Sequence, residues 1–106
     1  MGYGALIIED EPSLARNIRD YLEVDGFDAR VCADGETGLR MLESFRPDVV
    51  VLDLKLPDMD GLEVLRRVKS KAGDAKVVML TGHSSVQTAV EAIKAGAYEY
   101  LAKPVV

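Results

Sequence analysis

Three stretches of this sequence are aliphatic without interruption: Ala5-Leu6-Ile7-Ile8, Val49-Val50-Val51-Leu52 and Val77-Val78-Met79-Leu80. A strand with one face in water alternates apolar with polar residues, so runs like these belong to strands buried on both faces, as in a parallel sheet covered by helices. Two other segments differ. Asp28-Ala29-Arg30-Val31-Cys32-Ala33 alternates, and Glu99-Tyr100-Leu101-Ala102 is short and mixed, which suits the edges of a sheet. Five strands are predicted, three central and two outer.

Between the strands the apolar period becomes helical. Leu14, Ile18, Tyr21 and Leu22 fall on one helix face, with Pro12 suited to the first turn and Gly26 to the end. Leu39, Leu42 and Phe45 mark a second helix, stopped before Pro47. Leu62, Leu65 and Val68 mark a third, from about Gly61 until Gly73. Val86, Val90, Ile93 and Ala97 give a fourth, with Ser84 or Ser85 as its cap and Gly96 near its end. Strands alternating with helices imply right-handed crossovers, hence a single doubly wound α/β domain over residues 1–106. The chain stops just past the fifth strand, so no helix follows to cover that end of the sheet. It is therefore expected to be a piece of a longer protein. Aliphatic surface left bare on strands three to five would favour self-association, such as a homodimer, or disorder.

Composition removes several function classes. Thirteen Lys and Arg against eighteen Asp and Glu give a net charge of −5, which repels nucleic-acid phosphate, so direct nucleic-acid binding is not expected. The longest aliphatic runs are far below the roughly 20 residues that cross a bilayer, and no signal-peptide pattern opens the chain. No membrane association and a cytoplasmic setting are expected, in keeping with a lone cysteine, Cys32. One histidine, His83, and one cysteine cannot build a Cys/His zinc site, so any metal should be bound by oxygen.

The polar residues that end the strands carry the chemistry: Glu9 and Asp10 after the first, Asp53 after the third, Thr81 after the fourth, Lys103 after the fifth. In open α/β sheets ligands bind beyond the carboxyl ends of the strands, where the strand order reverses and the loops diverge. Three carboxylates meeting there repel one another and favour a neutralising cation. Mg2+ suits them, because it prefers oxygen ligands and is commonly held by one or two carboxylates together with a phosphate. Lys103 and Thr81 would add a cation and a hydroxyl, suited to a phosphoryl group. Taken singly each residue has a plainer role. A strand-ending Asp is usually a turn residue, Glu11 supports a helix start, and Asp58 and Asp60 read as turn and N-cap residues. His83 reads as a loop residue, and Tyr98 and Tyr100 as core or edge aromatics.

As a set, the residues resemble the receiver domain of two-component response regulators. The resemblance rests on Leu6 to Glu11, Val49 to Gly61, Val77 to Gly82 and Ala95 to Pro104, and covers essentially the whole chain. It implies the flavodoxin-like fold with strand order 2-1-3-4-5. It implies Asp53 as phosphoacceptor, with Asp10 and the backbone carbonyl of Lys55 coordinating Mg2+ and Glu9 reaching the ion directly or through water. Lys103 and Thr81 would contact the phosphoryl group, Tyr100 would be the aromatic that reports activation, and the Lys103–Pro104 peptide would be cis. The implied donor is a phosphohistidine on a sensor histidine kinase, or a small acyl phosphate. Such a domain is a signalling acceptor that catalyses only its own phosphorylation and dephosphorylation. The stretch Thr81 to Tyr98 is similar to receivers of the NtrC type, in which an ATPase and a DNA-binding output domain follow and regulate transcription; neither lies in this chain.

Three other readings stand beside this one. An aspartate-nucleophile phosphatase wants a second acid two residues after the nucleophile, where this chain has Lys55. A flavin or nucleotide carrier would want a phosphate-binding glycine fingerprint, which the sequence lacks. A receiver degenerated to a docking module would not need the full set of site residues.

Overall fold

The computed structural model describes residues 2–82 and 85–103. The elements run β1 (Gly4–Ile8), α1 (Pro12–Val24), β2 (Asp28–Cys32), α2 (Gly35–Phe45), β3 (Val49–Asp53), α3 (Gly61–Lys71), β4 (Lys76–Thr81), α4 (Val86–Lys94) and β5 (Glu99–Ala102). All strands are parallel, in the order β2-β1-β3-β4-β5. The three aliphatic runs form the centre of the sheet and the two mixed segments its edges. Asp53 and Thr81 are the last residues of β3 and β4, so each strand runs one position further than a reading that ends it with its aliphatic run.

The pleat sends alternate residues of each strand to opposite faces. Leu6, Ile8, Val50, Leu52, Val77 and Met79 face one way and are buried against Leu39 and Leu42 of α2 and Leu62, Val64, Leu65 and Val68 of α3. Ala5, Ile7, Val51 and Leu80 face the other way, against Ala15, Ile18 and Leu22 of α1. Burial of each large aliphatic side chain contributes about 1.5–3 kcal/mol, which is why the strands need helices on both sides. Among the described residues the second face has α1 alone. An apolar groove of about 300 Å3 lined by Ile18, Tyr21, Leu22 and Val51 runs beside that helix, while Leu101 on β5 is 47% exposed. The bare surface expected on strands three to five is therefore partial, since Val51 and Leu80 are buried.

Helix boundaries follow local chemistry. Pro12 opens α1 at a position whose N–H has no helical partner. Asp34, Asp60 and Ser85 cap α2, α3 and α4, accepting from Thr37, Leu62 and Thr88 backbone N–H groups. Gly96 turns the chain from α4 toward β5 at φ 107, a conformation open to glycine.

The fourth helix forms where the spacing places it, but its apolar stripe points away from the core: Val86, Val90 and Ile93 are exposed, and α4 packs through Ala92. Three apolar residues at helical spacing define a stripe, but spacing alone does not say which way the stripe points. Tyr21 on α1 is exposed for the same reason. His83, Ser84 and Pro104 lie outside the described residues, and with them the loop role of His83 and the Lys103–Pro104 peptide. No described helix is long and apolar enough to cross a membrane.

Candidate functional site

The parallel sheet delivers its strand ends to one rim. Glu9 and Asp10 follow β1, Asp53 ends β3, which lies beside β1, and Lys103 follows β5. Lys103 is held in place by its own backbone, whose N–H donates to the Thr81 carbonyl at 2.8 Å. Its side chain returns across the rim. Nζ lies 3.0 Å from Oδ2 of Asp53 and 3.1 and 3.2 Å from the two carboxylate oxygens of Glu9. A cleft of about 210 Å3 opens above, lined by Asp10, Asp53, Lys55, Thr81, Gly82 and Lys103. Wider hollows of about 510 and 740 Å3 lie elsewhere on the surface. Buried charge, not volume, distinguishes the small one.

That charge is concentrated and poorly hydrated. Glu9, Asp53 and Thr81 are each no more than 3% exposed, whereas Asp10 is exposed. Burial raises the Glu9 carboxyl above its ordinary range and the Asp53 charge adds to this, against the opposing pull of the Glu11 N–H and of Lys103. Burial alone would lower Lys103, but its hydrogen bonds and charge contacts with Asp53 and Glu9 outweigh that, and its affinity for a proton is raised. Glu11 does not cap α1 with its side chain; its backbone N–H donates to Glu9 Oε2 at 3.0 Å and holds that carboxylate in place.

Carboxylate oxygens of Glu9, Asp10 and Asp53 come within 4.8 Å of one another. One ammonium cannot neutralise three carboxylates, and the residual charge together with an all-oxygen donor set fits a hard divalent cation. The residues present thus suit Mg2+.

The β3–α3 loop completes the rim. Lys55 N–H donates to Asp53 Oδ1 at 3.2 Å, and the loop closes on itself through a Lys55–Asp60 bridge and a 2.8 Å bond from Gly61 N–H to the Leu54 carbonyl. A Cβ on Gly61 would stand 2.6 Å from the Leu54 carbonyl oxygen and closer still to that of Asp53, so only glycine permits this closure.

Every predicted site residue within the described range therefore gathers at one rim, apart from Tyr100. Tyr100 is half-buried on β5, packs against the core, and has a buried hydroxyl with no hydrogen-bond partner among the described residues. Tyr98 is exposed, with Lys76 Nζ over its ring. Sequence reasoning missed Asp58. It sits in a turn, as its residue type suggests, but its carboxylate also reaches the start of α2, accepting from Gly35 and Glu36 N–H.

Residues 5–106 match the family model of the response regulator receiver domain. The chain belongs to that family. It is 38% identical over 106 residues to the nitrogen assimilation regulatory protein NtrX of Azorhizobium caulinodans, covering 98% of this chain and 23% of NtrX. It is 40% identical over 98 residues to the regulatory protein LuxO of Vibrio cholerae, covering 92% of this chain and 22% of LuxO. These likenesses place the receiver with the NtrC type, among relatives that are transcriptional regulators. A crystal structure of a response regulator from Burkholderia pseudomallei with a phosphorylated aspartic acid, calcium ion and citrate superposes with a TM-score of 0.91. It is 31% identical and covers 98% of this chain and 61% of that one. The chain spans between about a fifth and two-fifths of the length of the curated relatives it matches first.

Proposed function

We propose that this receiver is a phosphorylation switch in which Asp53 accepts a phosphoryl group from a phosphohistidine on a sensor histidine kinase. The observation that supports this most is the buried carboxylate of Asp53 held by Lys103 Nζ at 3.0 Å, beside a carboxylate cluster suited to Mg2+. The B. pseudomallei relative, with its phosphorylated aspartic acid, supports the same reading.

In this reading an Asp53 oxygen attacks phosphorus, the P–N bond to the donor imidazole breaks, and the departing imidazole takes up a proton from solvent. The product is a mixed anhydride on Asp53. Glu9, Asp10, Asp53 and the Lys55 carbonyl would hold Mg2+. When bound, that ion supplies positive charge to the phosphoryl oxygens. Lys55 N–H and Lys103 orient the Asp53 carboxylate beforehand, so the barrier is lowered by positioning rather than by acid–base chemistry. Lys103 passes its hydrogen bond to a phosphoryl oxygen once the anhydride forms, and Thr81 donates another. Movement of Thr81 biases Tyr100 and the α4–β5 surface between two arrangements, and a partner that prefers one of them reads the change. That reader is an output domain, an ATPase with a DNA-binding unit in the NtrC-type arrangement, acting on transcription in the cytoplasm.

Nuclear magnetic resonance of the native chain and of Asp53→Asn with Mg2+ and beryllofluoride tests the assignment. The native chain should shift its resonances around Thr81 and Tyr100 while the variant stays unchanged. An equal response in both would remove Asp53 as the acceptor.

A further inference from the structure

The start of α2 is satisfied twice over. Asp34, its cap, accepts from Thr37 N–H at 2.7 Å, as a local cap should. The two preceding N–H groups, of Gly35 and Glu36, donate to Asp58 Oδ1 at 2.9 Å and Oδ2 at 3.0 Å. Asp58 lies more than twenty residues further along the chain, in the loop that leaves Asp53. A single carboxylate gripping two adjacent amides fixes orientation as well as distance, and it does so at the positive end of a helix dipole. Those amides hold the Asp58 carboxyl below its ordinary range.

The opposite end of the same loop is closed independently. Gly61 N–H bonds the Leu54 carbonyl, Lys55 bridges Asp60, and Asp60 caps α3. Lys55 belongs to this base and is joined to Asp58 through Leu56 and Pro57; its N–H meets Asp53 Oδ1 and it lines the acidic cleft. The base is fixed by covalent proximity and backbone pairing, whereas the tip reaches α2 through the paired bonds of one side chain.

We propose that Asp58 is a positioning residue for the metal and phosphoryl site: by clamping the β3–α3 loop onto the first turn of α2, it sets the Lys55 peptide against Asp53. This rests on the proposed function, since Lys55 matters there as the N–H partner of Asp53 and as a carbonyl ligand to Mg2+. Asp58 touches neither the ion nor the phosphoryl group. It acts through the loop, as outer-shell groups act on metal ligands.

A simple helix cap would look alike in a stability measurement, so the test compares Asp58→Ala with Asp34→Ala. Both remove bonds from the first turn of α2, and both should lower the melting temperature. Only Asp58→Ala should weaken Mg2+ binding, measured by isothermal calorimetry on the whole chain, roughly tenfold. It should also speed hydrogen exchange at the Lys55 amide. Phosphorylation by acetyl phosphate at saturating Mg2+ should recover, because the loop retains its base. Asp58→Asn keeps one acceptor oxygen of two and should fall between, which keeps the test open if the alanine variant folds poorly. Native Mg2+ affinity in Asp58→Ala, or equal weakening in Asp34→Ala, would reduce Asp58 to a cap of α2 and overturn the proposal. Failure of the native chain to bind Mg2+ would instead overturn the functional reading, and the positioning role with it.

Discussion

Lys103 Nζ and Asp53 Oδ2 stand 3.0 Å apart across fifty residues of sequence, and the lysine holds Glu9 with the same ammonium. Two buried acids thus depend on one cation, which a neighbouring backbone bond to Thr81 fixes in place. Breaking a pair of this kind exposes the cost of the charges left behind, because the carboxylates remain desolvated after their partner has gone.

Lys103→Ala should therefore lower stability near neutral pH, by an amount on the order of 1–3 kcal/mol given that the lysine is partly exposed. Saturating Mg2+ should restore part of the loss, since an ion that binds the folded site stabilises it by mass action. Urea unfolding with and without Mg2+ measures both. A variant as stable as the native chain without the ion would mean that the cluster does not need the ammonium.

Gly61→Ala carries a methyl into the backbone of Asp53 and Leu54, where flexible side chains cannot yield. It should cost about 1–3 kcal/mol, as overpacking does, and should also weaken Mg2+ binding because the displaced backbone is that of the acceptor residue. Urea midpoints and calorimetry check the two effects. Unchanged ion affinity would separate the loop closure from the site.

Both variants act on features of different legibility. The strands could be read directly: uninterrupted aliphatic runs have few alternatives to a doubly covered parallel strand, and the residues ending them fall at one rim by topology. Glu9, Asp10, Asp53, Thr81 and Lys103 were found that way. Asp58 was not, because its partners Gly35 and Glu36 lie in another element and nothing local marks a long-range clamp. The α4 stripe misled for a related reason. Val86, Val90 and Ile93 have helical spacing, but the neighbours of α4 bury Ala92 instead, and only tertiary packing decides that.

Tyr100→Phe should be neutral or stabilising by up to roughly 1 kcal/mol, because the hydroxyl it removes is buried without a partner among the described residues. Thermal unfolding of the variant beside the native chain decides it. A loss above about 1 kcal/mol would show that the hydroxyl is bonded in the folded state.

Alkaline pH should destabilise the fold. Burial, with the Asp34 charge, lifts the Cys32 thiol from 9.0 to about 11, so above pH 9 the unfolded chain releases a proton that the folded chain keeps. Stability then falls as pH rises through that window. Lys103 works in the same direction at higher pH. Its affinity for a proton is raised on folding, so its contribution is complete below its ordinary value of 10.5 and is lost above its folded value. Urea midpoints across this range should decline, Cys32→Ala should flatten the first part of the decline, and iodoacetamide should alkylate Cys32 slowly until the chain unfolds. Fast alkylation of the folded chain would contradict the burial of the thiol.

Mass spectrometry after incubation with acetyl phosphate and Mg2+ tests the central claim most directly. The native chain should gain one phosphoryl group, mapped to Asp53, and Asp53→Asn should gain none. A phosphoryl group on another residue, or none on the native chain with Mg2+ bound, would contradict the account.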